Sequence, residues 1–183
     1  MKSSIALPVP LSRTFVDLWY KVENAAVTAI STGRQVGVNG LLFTREYDAE
    51  NQLDFMTITL PSGRKLFYAS PSIGMNQWDK PSIEYRGVNQ TTKQWTVLET
   101  YGGKLVENIV QAIARDCLAV AIEHLEEAGF KIVFHIHDEV VIDSPPEKAS
   151  LDEVTRLMTL PIPWAQGLPL NADGWVGDFF TKD

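Results

Sequence analysis

The sequence is short of three things: it has one cysteine, Cys117, no long apolar run and no lysine-rich tract. A single cysteine excludes an internal disulfide and fits a reducing cytosol. Cys117 lies among apolar neighbours with no thiolate-activating motif, which favours a core position over a nucleophile. No segment reaches the roughly eighteen unbroken apolar residues of a membrane helix, so no membrane contact is expected. The start, MKSSIALPVP, has one lysine and a short apolar run broken by proline, which argues against a signal peptide. A free-standing nucleic-acid binder usually shows a basic face. Without a basic tract, strong autonomous binding to DNA or RNA is not expected. Internal repeats and low-complexity segments are also missing.

What is present is an ordinary globular balance. The chain has 183 residues, 45% apolar and 21% charged. That is enough for one domain with a real core, or one plus an appendage. The net charge of −7 is unevenly placed: from Asp138 onward there are nine acidic against three basic residues, and up to His137 fourteen against thirteen. Negative charge near a metal site, or a surface meeting a basic partner, would both produce this.

Phe15, Leu18, Trp19, Val22, Ala26, Ala29 and Ile30 recur at helical steps, predicting a helix over 13–31 with Ser12 as N-cap and Gly33 past its end. Two alternating runs around PSG predict a β-hairpin over 54–69. Residues 71–80 read as loop, and SIEYRGV and QWTVLET as two short strands. Apolar pairs from Leu105 to Leu125 predict a long amphipathic helix over 104–128, stopped at Gly129. Residues 131–136 and 139–143 read as strands, and SPPE as a break. Ser150 with Glu153 forms a capping-box pattern for a short helix. Pro161, Pro163 and Pro169 predict an extended stretch, and LNADGWVGDFF a final strand. The division this suggests is 1–100, a helix plus hairpins, and 101–183, the long helix with the hairpin and tail beyond it.

The chemistry concentrates in KIVFHIHDEVVID. Ile132, Phe134 and Ile136 alternate on one face of the first strand, and Val140 and Ile142 continue the apolar run. His137 and Asp138 then form the two-residue turn, a place where Asp and His tolerate positive φ. The Asp138 carboxylate is thereby held at a rigid, exposed tip, with His137 before it and Glu139 after it. A hard cation such as Mg²⁺ takes carboxylate oxygens and keeps waters, so such a tip is suitable. A polar turn between two hydrophobic strands explains the same residues, since Asp favours turns. Zinc fits less well: His135 and His137 share a side, but nothing near in sequence completes a tetrahedron.

Lys104, Asn108, Gln111 and Arg115 are spaced four, three and four apart on the preceding helix, which puts them on one stripe. Long donors with an amide among them can read minor-groove acceptors and hold phosphates; a solvated helix face would look the same.

VQAIARDCLAVAI followed by IVFHIHDEVVID resembles the last part of the palm of family A DNA polymerases, the class of bacterial DNA polymerase I. LPSGRKLFY, EYRGVNQTTKQW and ETYGGKLVENIVQAIARD are similar to the phage and prophage branch of that family. The resemblance runs from Phe15 to Trp175 and is most specific from Tyr101 to Asp143. It implies that Asp138 is a ligand of catalytic Mg²⁺ in a two-metal site, that Glu139 is an auxiliary carboxylate, and that His137 lies near the primer terminus. It matches Gln111 to a glutamine contacting the duplex minor groove, and it carries Asp116 over. Arg115 stands where the bacterial enzymes show alanine. Lys104 and Asn108 do not align cleanly with primer-contacting residues.

Other parts of the pattern are missing. Two-metal phosphoryl transfer needs a second carboxylate site and cations for the triphosphate. Nothing matches the family's D-[YF]-S-x-x-E; VDLWYKVE shares only acidic ends. For R-x3-K-x7-Y-G there is one partial match, Lys93 with Tyr101-Gly102, but Asn89 stands where arginine belongs, so it reads as a decoy. The expectation is an α+β, palm-like fold in which a small antiparallel sheet, including the 131–143 hairpin, packs on the 104–128 helix. The expected role is part of a cytoplasmic DNA polymerase acting on primed template and dNTP. The chain would depend on a missing N-terminal polymerase part and could self-associate through uncovered faces. A non-catalytic prophage remnant that binds a partner, and a metal-dependent hydrolase using Asp138 and Glu139, remain as alternatives.

Overall fold

The structure, a computed structural model, describes residues 9–76, 79, 81–145 and 150–180, with side chains from Thr14 onward. It divides into two compact units, Met1–Val110 and Gln111–Asp183, with the division inside one helix. The architecture is α+β with antiparallel pairing throughout.

The first unit opens with α1 (Val9–Thr32). Ser12, expected as its N-cap, lies inside it; the helix starts earlier because Pro10 falls in the first turn, where a missing N–H costs no bond. Gly33 takes φ +67 and donates to the Ala29 carbonyl. The Ile30 carbonyl also accepts from Arg45 Nη1 at 2.6 Å, while the rest of that guanidinium grips Asp54. A cation thus sits at the negative end of the helix. The apolar stripe of α1 is only half covered: Val22, Ala26, Ala29 and Ile30 are buried, whereas Phe15 and Trp19 are about half exposed.

Six strands come next, in sequence order: β1 (Val36–Val38), β2 (Leu41–Asp48), β3 (Leu53–Thr59), β4 (Lys65–Met75), β5 (Pro81–Val88) and β6 (Trp95–Thr100). β1 and β2 lie where the sequence pattern predicts no element. They turn at Asn39-Gly40, both at positive φ, the combination a two-residue hairpin of type I′ requires. The predicted 54–69 hairpin is β3–β4. The loop expected at 71–80 is not all loop: β4 continues to Met75 past a bulge between Ala69 and Ser72. Pro71 sits in that bulge, where the ladder is interrupted and its lacking N–H is tolerated. Phe43, Met56, Ile58 and Ile83 are fully buried.

The long helix is α2 (Gly102–Glu127). Its start is fixed by α1: Gly102 N donates to the Glu23 carboxylate at 3.1 Å, and a Cβ there would collide with the Trp19 carbonyl. Its end has the glycine-stop pattern. Gly129 takes φ +85, with Gly129 N donating to Glu126 O and Phe130 N to Leu125 O.

In the second unit β7 (Lys131–Ile136) pairs with β8 (Glu139–Asp143), and α3 (Leu151–Met158) comes after them. The hairpin is expected within a larger sheet. Instead, among the described residues, β7 and β8 pair only with each other, as a separate two-stranded sheet. Ser150 caps α3 by accepting from Glu153 N, as predicted. The Glu153 carboxylate, however, binds Arg156, so the capping box is made in one direction only. The break at SPPE falls partly outside the described residues. The proline-rich stretch forms turns rather than an extended run, with Ala165 N donating to Ile162 O and Leu168 N to Ala165 O. No strand forms over 170–180; its Gly174 and Gly177 lack the alternating side chains that a strand packs.

Candidate functional site

The hairpin places its residues through two local devices. His137 and Asp138 form the turn, and His137 alone of the two carries positive φ, +52. Glu139 opens β8 opposite Ile136. His137, Asp138 and Glu139 are all exposed. The second device is a bulge. Ile132 pairs with Ile142 and Phe134 with Val141, so Val133 is the extra residue in β7. Directly paired residues share a face and alternate along a strand. The bulge therefore breaks the expected alignment of Ile132, Phe134 and Ile136. Ile132 and His135 go with Ile142 and Val140 to one face, and Phe134 and Ile136 go with Val141 and Glu139 to the other.

Each face meets a different neighbour. On the His135 side, Arg115 Nη2 of α2 lies 3.2 Å from His135 Nε2. On the other, Phe134 makes an edge-on ring contact with Phe180, centroids 5.2 Å apart. His135 and His137 do not act as a strand-face pair, because His137 belongs to the turn.

The four donors of α2 differ in what they do. The Lys104 ammonium binds Glu107 at 2.9 Å, and that hydrogen bond holds its pKa above the ordinary lysine value. Asn108 Nδ2 donates to the hydroxyl of Tyr68 at 3.1 Å. Tyr68 is buried and packs edge-on against Tyr85, and burial pushes its phenol up. Gln111 and Arg115 are exposed. Asp116 is buried, and burial, with Asp116 alongside, pushes the Cys117 thiol up. That is the behaviour of a packed cysteine, not a nucleophile.

Among the described residues no three His, Cys, Asp or Glu side chains converge as a metal centre. Asp116 and Asp143, the acids a hydrolase would have needed near Asp138 and Glu139, do not gather with them. Asp138 and Glu139 can contribute to a hard-cation site that keeps its waters, but they do not form a complete one. The decoy nucleotide motif is not helical: Lys93 takes φ +57 in the turn before β6.

No helix among the described residues is long and apolar enough to cross a membrane. No protein-family model matches the chain, and no solved structure matches it. The chain is 45% identical over 174 residues to a protein of Bacillus phage SP02 named DNA polymerase. The match covers 94% of this chain and 26% of that protein. The chain is therefore similar to a phage DNA polymerase along nearly its whole length, while spanning about a quarter of that relative.

Proposed function

We propose that this chain is one part of a family A DNA polymerase of phage or prophage type, carrying one wall of a palm active site. The observation that carries the reading is the 45% identity to the SP02 polymerase over 94% of the chain. The exposed His137-Asp138-Glu139 tip supports it. Template-directed nucleotidyl transfer in the cytoplasm of the host cell is then the activity of the assembled enzyme, on primed DNA and dNTP.

In this reading Asp138 is the metal ligand and Glu139 the auxiliary carboxylate. His137 lies at the primer terminus, and Gln111 and Arg115 hold the duplex. Lys104 and Asn108 take a secondary part, since Glu107 and Tyr68 engage them. Mg²⁺, held at Asp138 together with groups from elsewhere in the enzyme, would supply charge stabilisation to the transferring phosphoryl group. The tip's contribution is placement. A two-residue turn fixes the Asp138 backbone, and a bulged, self-paired hairpin carries it.

Primer extension with Mg²⁺ tests this. The chain alone is expected to incorporate little nucleotide. Adding the remaining part of the polymerase is expected to restore synthesis. Asp138→Ala should then lower it on the order of a thousandfold, because a catalytic metal contributes several kcal/mol of transition-state stabilisation. Robust synthesis by the chain alone would defeat the reading of it as one part. A restored enzyme indifferent to Asp138→Ala would defeat the site assignment. Binding of the remaining part without restored synthesis would favour a non-catalytic remnant.

A further inference from the structure

The contact between Arg115 and His135 has a strict chemical requirement. A guanidinium carries five N–H donors, no acceptor, and does not deprotonate. At 3.2 Å from Arg115 Nη2, His135 Nε2 must accept. The imidazole is then neutral, with its proton on Nδ1. The Val133 bulge sends His135 to the face that Arg115 reaches, the kind of re-aiming that bulges perform.

We infer that His135 is a positioning residue: it holds Arg115 out from α2 so that the other donors of the fork meet a phosphodiester of bound DNA. This rests on the polymerase reading. Arginine recognises phosphate through a planar, often two-pronged fork, so its orientation matters as much as its charge. Arg115 is exposed on a long flexible stem, and without an anchor that fork has no fixed direction. One imidazole nitrogen occupies one donor and leaves the rest of the guanidinium available to a ligand. The anchor lies two residues before the turn, on the strand that leads into Asp138. A guanidinium held there is fixed relative to the carboxylate tip by covalent and hairpin geometry, not by its own rotamers.

Two measurements on the 183-residue chain test the inference. Long-range proton–nitrogen NMR at neutral pH should show His135 with Nδ1 protonated and Nε2 bare; the opposite tautomer overturns it. Fluorescence anisotropy with a primed duplex at low salt gives the functional arm. His135→Phe keeps a ring on the strand but has no acceptor. It should weaken binding about five- to tenfold, the size of one ordinary net hydrogen bond, because the anchor is lost while the phosphate contact itself can still form. His135→Gln offers Oε1 in place of Nε2 and should bind within about twofold of the unaltered chain, a rescue that strand packing alone would not produce. Adding His135→Phe to Arg115→Ala should cause no further loss. If His135→Phe does not fold, His135→Thr serves, since it suits a strand and its hydroxyl is too short to reach Arg115. In the restored polymerase the loss should fall on KM for primed template, with kcat kept. Equal binding by His135→Phe and the unaltered chain overturns the positioning role and leaves the polymerase reading standing. Failure of the unaltered chain to bind primed duplex even when joined to the remaining part of the polymerase overturns both.

Discussion

The six-stranded sheet and the β7–β8 hairpin are both antiparallel, yet they are built on opposite terms. Phe43, Met56, Ile58 and Ile83 are fully buried in the sheet. No residue from Lys131 to Asp143 is buried. An isolated two-stranded hairpin is marginal in water, so the element carrying the candidate chemistry does not hold itself together by a core of its own. Arg115 on one face and Phe180 on the other contribute to holding it. The stability of the chain and its proposed chemistry thus reside in different parts.

Core truncation should show this contrast most strongly. Ile58→Ala empties a fully buried site and is expected to cost about 2–5 kcal/mol. Val133→Ala, at a half-exposed bulge residue, should cost under about 0.5 kcal/mol. Urea unfolding of the two variants measures both. Similar costs would mean that the hairpin carries more of the fold than its burial suggests.

Much of this contrast is legible in the sequence, and the exceptions have physical causes. The α2 helix, its glycine stop, the β3–β4 hairpin and the Ser150 cap are all readable, because each depends on local chemistry within a few residues. The His137-Asp138 turn is readable for the same reason. The exposure of Phe15 and Trp19 is not, since periodicity marks an apolar stripe without saying how far a sheet extends beneath it. Pro71 looks like an end to its strand, but a bulge absorbs it. The Val133 bulge carries no residue signature, and it moves Ile132 and His135 onto one face. The pairing of Arg115 with His135 depends on that bulge, and so it is hidden from any reading by strand alternation. His135 could be suspected only as a second histidine two positions before the tip.

The second prediction concerns the joint between α2 and the hairpin. A Cβ on Gly129 would meet nothing within 4 Å, so Gly129→Ala is penalised only for φ +85. The expected cost is about 1–2 kcal/mol, read as a lower melting midpoint. Gly129→Asn should recover part of it, because Asn tolerates the left-handed region better. A neutral Gly129→Ala would show that the link into β7 relaxes freely and that the hairpin is held less firmly than its pairing implies.

The third separates fold from site on one helix. Tyr68→Phe removes the acceptor of the Asn108 amide and should cost about 1 kcal/mol. It should leave primed-duplex binding unchanged, whereas Gln111→Ala, on the proposed reading, should weaken binding. The reverse pattern would move Asn108 into the DNA surface and Gln111 into the fold.

The smallest effect is electrostatic and lies in the sheet. Glu46 accepts from Lys65 at 2.5 Å and from the buried Thr57 hydroxyl at 2.9 Å. The Lys65 hydrogen bond, chiefly, holds the Glu46 carboxyl below its ordinary value. A carboxyl depressed on folding adds stability that is present above the unfolded pKa, about 4.3 for Glu. That stability is lost as pH falls through the lower folded value. Glu46→Gln should therefore cost under about 1 kcal/mol near neutrality, because the Glu46 and Lys65 side chains are each 40% exposed and water screens the pair. The difference should vanish as acid protonates the native Glu46, leaving the variant with a flatter acid limb of stability against pH. If Glu46→Gln left the acid limb as steep as in the unaltered chain, the Glu46–Lys65 pair would not be among the interactions that make the sheet the stabilising part.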